Sequence, residues 1–463
     1  MSQLDRRGFL RFAGVVGLTL PTGIALASCS SGSEATGATG EVSATNPFGV
    51  AADSKVDAVI FDGGYGVDYV ENAGKILGGT QDGVSVQVTA STQIATQMQP
   101  RFVAGNPPDL LDNSGADKIA DSALFEQVDD LTEVVDAVNL EGTAIRETLY
   151  DGMLNDTTVN GKLVAINYCL TLYGIWYSAS LFEEKGWSVP TTWAEILELG
   201  AQAKAEDLYL FGWGKEAADY YLTLAIDSAI VEGGHDVRIA LGNLAADCWS
   251  LPAVQAVLTA MGEAVAAGYF RPGGAGTQFT AAQAQWSQAK EFVLYPSGSW
   301  IENEMKEQTA DDFQMTGFPA PPATASSVLP ATAVHASAGE PFFVPTKAKN
   351  KAGGKELLRT MLSKEAATAF AEAKLASTIV KGTVPEDGFG STALVSQTKM
   401  IEAAGADAFS HTFKDLYGFG PDMLVLWNSF LAGDSSVADL TKKMQDLTDA
   451  VREDDSITKV EVK

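Results

Sequence analysis

Val56-Asp57-Ala58-Val59-Ile60-Phe61 is a short apolar run that stops at Asp62-Gly63, and it reads as a buried strand closed by a turn. Val84-Ser85-Val86-Gln87-Val88-Thr89 puts an apolar side chain on every second position, so a second strand packs one face and wets the other. Pro107-Pro108-Asp109-Leu110-Leu111-Asp112-Asn113 reads as a third short strand carrying two polar residues at its carboxyl end. In open parallel sheets ligands bind beyond such ends. Helical periods alternate with these strands along the chain, which defines an α/β class. One helix opens at Pro190-Thr191-Thr192-Trp193-Ala194-Glu195, where Thr192 can cap and Glu195 can return the bond. Another shows an apolar face of Val437, Leu440, Met444, Leu447 and Val451 near the C-terminus.

The first residues read as an address. Arg6-Arg7-Gly8-Phe9-Leu10 precedes an apolar stretch, Phe12 to Leu26, that is interrupted by Gly14, Gly17, Pro21 and Gly23 and is too short to span a bilayer comfortably. It closes on Leu26-Ala27-Ser28-Cys29, the arrangement of a lipoprotein cleaved before a diacylated cysteine, and the twin arginines resemble a Tat signal. Residues 1–28 are therefore expected to be a signal peptide. Cys29 is the expected lipid anchor on the outer face of the cytoplasmic membrane, and 29–46 are a flexible tether.

Removing residues 1–28 takes three arginines and one aspartate, leaving 28 basic against 58 acidic side chains, a formal charge of −30. That surface repels phosphate backbones and excludes nucleic-acid partners. Cys169 and Cys248 remain, either as two buried thiols or as a single bridge. No His or Cys cluster has metal-ligand spacing, and neither a metal nor a cofactor is expected. His335-Ala336-Ser337-Ala338-Gly339 has the spacing of a nucleophile elbow but the wrong first residue. Gly64-Tyr65-Gly66 is followed by Tyr69 where a dinucleotide fingerprint needs glycine. These gaps argue against an enzyme, with a two-carboxylate glycoside hydrolase as the remaining catalytic alternative.

Several blocks resemble the carbohydrate-binding proteins of ABC importers, of the maltodextrin-binding type. They are Asn160-Gly161-Lys162-Leu163-Val164-Ala165, Trp176-Tyr177-Ser178, Leu181-Phe182-Glu183-Glu184-Lys185-Gly186, Pro190-Thr191-Thr192-Trp193, Gly298-Ser299-Trp300 and Phe343-Val344-Pro345. Asn46-Pro47-Phe48-Gly49, Asp62-Gly63-Gly64-Tyr65-Gly66, Gly105-Asn106-Pro107-Pro108-Asp109-Leu110 and Gly339-Glu340-Pro341-Phe342 resemble the subgroup that binds N-acetylglucosamine and N,N′-diacetylchitobiose. His335 stands where that subgroup is expected to carry tryptophan, which leaves the sugar itself open.

The resemblance implies a two-lobe periplasmic-binding-protein type II fold with hinge crossovers and a C-terminal helical region. It places one lobe at 47–168 plus 338–388 and the other at 169–337 plus 389–463. It further implies a monomer that captures a small saccharide between the lobes and delivers it to permease subunits. A sugar ring needs flat apolar platforms and polar edges. Trp300 resembles the family's stacking tryptophan, and Glu302 lies just beyond it. Glu216, Tyr220 and Tyr221 fall in a segment that brings an aromatic and an acid to the cleft, with one tyrosine expected in the core. Tyr65, Asp112 and Asn113 end strands at the cleft, although ordinary turn chemistry would also explain them. Tyr173 follows the first crossover, and His335 and Glu340 flank the second. The other seven tryptophans are expected in the core or on lobe surfaces.

Overall fold

The computed structural model describes residues 40–462, apart from 64, 116, 160, 412, 418 and 458. The expected signal peptide, Cys29 and the first part of the tether lie outside the described residues. Ten strands are present among those described: β1 (Lys55–Phe61), β2 (Ser85–Ser91), β3 (Leu110–Asp112), β4 (Thr158–Val159), β5 (Lys162–Leu163), β6 (Ile166–Ser178), β7 (Tyr209–Phe211), β8 (Phe292–Gly298), β9 (Met315–Phe318) and β10 (His335–Phe343). β4 and β5 form a small antiparallel pair. The other eight make one mixed sheet, ordered β2-β1-β3-β10-β6-β8-β7, with β9 added beside β6.

At one end β1, β2 and β3 run parallel, and at the other β7 and β8 do. β6 and β10 join these halves as antiparallel neighbours. β6 is rich in β-branched and aromatic residues and buried almost throughout, as expected of a strand with neighbours on both edges. Its partners change along its length. Residues 166–173 pair with β10, whereas 175–178 pair with β9 on that same edge, and 173–177 pair with β8 on the other. Tyr173 stands at the exchange, opposite His335 on one side and Gly298 on the other. The next residue has to be small, because a Cβ on Gly174 would lie 2.6 Å from the Phe318 carbonyl oxygen.

Alternation along β1 divides the first half of the sheet into two packed faces. Ala58 and Ile60 join Tyr69, Tyr168 and Phe342 on one side, while Val59 joins Leu111, Phe343 and Ile94 on the other. A separate core gathers Trp193, Phe211, Tyr221, Trp249 and Trp427 around the helix Ala218–Gly233. Cys169 and Cys248 are buried and unbridged.

The capping expectation needs one adjustment. Thr192 Oγ1 accepts from Glu195 N at the start of the helix Trp193–Ala205, but the Glu195 carboxylate reaches past it to accept from Thr191 N at 2.6 Å. The C-terminal helix spans Val437–Glu453, with Leu440 and Met444 buried and Val437, Leu447 and Val451 partly so. Among the described residues no helix is long and apolar enough to cross a membrane.

Candidate functional site

The partner exchange on β6 creates the site. In an antiparallel pair the two residues facing each other project to the same side of the sheet, so Tyr173 and His335 emerge together. Their rings stack at 4.4 Å with 17° between planes. Beyond Gly298 the chain turns into the short helix Ile301–Met305, and Trp300 is its half-exposed cap residue. The Trp300 indole lies directly over Gly298, where a Cβ would come within 1.9 Å of the ring. It meets Tyr173 edge to face at 5.5 Å and Tyr220 at 6.0 Å. Tyr220, Trp300, Tyr173 and His335 thus form a continuous aromatic row built from four separate elements. Burial pushes the Tyr220 hydroxyl well above its ordinary pKa, with Glu304 and Asp219 adding to the effect.

The opposite wall comes from the carboxyl ends of β1 and β3. Glycine is needed at Gly63 and Gly115 because a Cβ at either would strike the Phe61 ring, at 2.0 and 2.2 Å. Tyr65 packs on Phe370 at 5.3 Å. Burial, together with the neighbouring Cys169, Glu340 and Tyr173, holds its hydroxyl well above the usual range.

Glu340 adopts a left-handed backbone, φ +54°, in the middle of β10, at the one point where the ladder between Gly339 and Pro341 is interrupted. A non-glycine residue held there stores strain, and such residues concentrate at functional positions. The kink brings the Glu340 carboxyl to that of Asp112, beside the Ser114 hydroxyl. Burial is the main reason that both carboxyls titrate above their ordinary range, and mutual repulsion adds to it at Asp112. The pair therefore favours holding one shared proton.

Other expected site residues have structural partners. Asp112 is fully buried and accepts from Phe61 N at 3.2 Å, so it braces β3 against β1. Asn113 is equally buried and folds the following loop by bonding both main-chain groups of Ile119. Tyr221 belongs to the core, and its hydroxyl donates to the Gly212 carbonyl at 2.7 Å. Glu216 accepts from Phe279 N at the first residue of the helix Phe279–Ser287. Both carboxylate oxygens of Glu302 accept from Ser391 Oγ, which ties the helix Ile301–Met305 to the helix Thr392–Ala404, and burial raises its pKa. The structure therefore gathers Tyr65, Tyr173, Tyr220, Trp300 and Glu340 at half-buried positions around the exchange point, with His335 buried against Tyr173, and it uses the other five expected residues to hold the frame.

Sequence reading overlooked four residues here. Thr171 and Ser337 face each other two residues along from Tyr173 and His335, half-exposed on the same face, and period-two counting from Tyr173 would have found the first. Asp227 and His411 sit behind His335. Asp227 Oδ1 lies 2.9 Å from His411 Nε2 and 2.9 Å from His335 Nδ1. Burial alone would raise the Asp227 pKa, yet the two imidazoles hold it below its ordinary value. A lone acid inside the apolar run Leu224-Ala225-Ile226-Asp227-Ser228-Ala229-Ile230 was the available signal. These three side chains are also the one group among the described residues able to hold a metal ion, although sequence spacing had suggested none.

A two-halved α/β body with an aromatic and acidic site at its crossing strands is the architecture of a ligand-capturing protein, and the chain belongs to the bacterial extracellular solute-binding proteins, whose family model matches residues 79–368. Its similarity to one curated relative is extensive: the diacetylchitobiose binding protein NgcE of Streptomyces coelicolor is 54% identical over 99% of this chain and 98% of its own. Among solved structures, a chitin oligosaccharide binding protein superposes with a TM-score of 0.64 at 16% identity, covering 87% of this chain and 99% of that one. The sugar-binding protein MalE of Xanthomonas citri gives a TM-score of 0.67 at 15% identity, covering 86% and 97%. The fold is therefore that of the two-lobe periplasmic sugar-binding proteins.

Proposed function

We propose that this protein is the substrate-capturing component of a carbohydrate ABC importer and that it takes N-acetylglucosamine or short chito-oligosaccharides between two lobes, 47–168 plus 338–388 and 169–337 plus 389–463. The observation that carries this reading is the aromatic row Tyr220–Trp300–Tyr173 at the point where β6 exchanges partners. Its rings offer C–H platforms. Glu340, Tyr65, Thr171 and Ser337 offer hydrogen-bonding edges close by, with Asp112 buried against the Glu340 carboxyl. The name of the Streptomyces relative supports an N-acetylated glucoside as the sugar.

The acid pair does not suit the hydrolase alternative. Retaining and inverting glycosidases hold their carboxyls about 5–5.5 or 6.5–9.5 Å apart, whereas Asp112 and Glu340 are in hydrogen-bonding contact. The protein on this reading is a monomer tethered through a lipid on Cys29, exported by the twin-arginine route, and it releases its sugar unchanged to the permease.

Calorimetric titration with N-acetylglucosamine, diacetylchitobiose and maltose tests the proposal. Sub-micromolar to micromolar binding of an N-acetylated sugar, with maltose silent, is the expected result. Heat from none of the three, or a cleaved product, overturns it.

A further inference from the structure

At the inner end of the aromatic row, His335 belongs to a second, deeply buried group of side chains. Asp227 comes from the middle of the helix Ala218–Gly233, His335 opens β10, and His411 follows the segment whose Phe409 bridges to His335. All three are at least nine-tenths buried as side chains, with 2%, 5% and 7% of their surface exposed. One ligand-type atom from each lies within 4.8 Å of the other two.

Hydrogen bonding alone does not complete this group. Asp227 Oδ1 is joined to His411 Nε2 at 2.9 Å. His335 Nδ1 approaches the same oxygen equally closely but lacks the orientation of a hydrogen bond and has no other partner. Among the described residues the ion-pair partners of Asp227 are these two imidazoles, with no lysine or arginine. A carboxylate so deeply buried costs several kcal/mol unless its charge is balanced. We infer that Asp227, His335 and His411 form a binding site for a divalent cation of the zinc class.

Two imidazoles and a carboxylate are the donor set that zinc and its neighbours prefer over calcium or magnesium. Tetrahedral ligands about 2.0–2.1 Å from a common zinc ion stand about 3.3–3.4 Å from each other, so binding would open the two 2.9 Å separations slightly. A cation there would balance Asp227 while leaving both imidazoles neutral, and it would satisfy His335 Nδ1, one of the two imidazole nitrogens that hydrogen bonding leaves over, His411 Nδ1 being the other. His411 also lines a cavity of about 790 Å³, bordered by Asp156, His235 and Ser410, which gives an ion a path inward. The ion would fasten the helix, the crossing strand and the 409–411 segment together directly behind Tyr173, whose ring stacks on His335.

The test uses the full chain stripped with EDTA and titrated with Zn²⁺ and with Co²⁺. The expected result is one tightly held equivalent per chain, a rise in Tm of about 3 °C or more at saturation, and cobalt absorption bands characteristic of nitrogen and oxygen ligands. His411→Gln, which keeps the side chain's size and polarity, is expected to lose the tight equivalent and the bands. Asp227→Asn serves as the second variant. The inference fails if EDTA and Zn²⁺ leave Tm unchanged, or if folded His411→Gln binds the ion as the parent does, which would assign the ion to the acidic surface.

Discussion

Trp300 carries the sharpest prediction at the level of single residues. Its indole is half-exposed and rests on a glycine instead of a packed core, so Trp300→Ala should weaken sugar binding at least tenfold by calorimetry while Tm moves little. Glu340 gives a pH prediction whose sign follows from its surroundings. Burial beside Asp112 raises the pKa of both carboxyls above their unfolded values. Protonation thus favours the folded state, and the stabilisation is complete below the ordinary carboxylate range and lost as pH climbs through the raised values. Glu340→Gln removes one of the two charges and should flatten this dependence. Thermal melts from pH 5 to pH 8 should show the variant gaining on the parent towards the alkaline end, with weaker sugar binding throughout if the carboxyl edge contacts the ligand.

β6 and β8 hold the site together at the level of elements, and glycines set how closely they approach. Gly298→Ala would push the Trp300 ring off its seat, since the new Cβ meets the far edge of the indole. The expected outcome is a loss of affinity with an almost unchanged urea midpoint. Gly174→Ala instead meets a main-chain carbonyl that cannot move aside, so it should cost roughly 1–3 kcal/mol in urea denaturation. Elements of this kind were partly legible in advance. The runs at 56–61 and 84–89 announce strands through their apolar periodicity, and the observed strands match them to within two residues at each end. The expected strand at 107–113 shrinks to Leu110–Asp112, because the two prolines before it cannot donate to a ladder. Trp300 and Tyr173 could be named through the family resemblance carried by Gly298-Ser299-Trp300 and Trp176-Tyr177-Ser178. The fates of Glu216, Glu302 and Tyr221 could not, because each is decided by a partner 9 to 89 residues away in sequence. The same holds for Asp227, whose two imidazoles arrive from positions 335 and 411.

Ligand capture should be visible in the whole molecule in two independent ways. A sugar that binds only the folded form raises its stability by about 2.7 kcal/mol at a hundredfold excess over Kd, so Tm should climb with diacetylchitobiose concentration. Closure of the two proposed lobes should also shrink the radius of gyration in small-angle scattering; an unchanged radius with binding intact would refute closure but not capture. Because Tyr173 is paired at once to β10 and β8, its ring is mounted on the axle and not on either swinging door. Trp300, whose ring rests against Tyr173, is carried on the same mount, so on the proposed closure the residues that swing in over the sugar are those of the facing wall, Tyr65 and Glu340. A damaged Tyr173 or Trp300 should then show in the rate of entry, and a damaged Tyr65 or Glu340 in the rate of leaving.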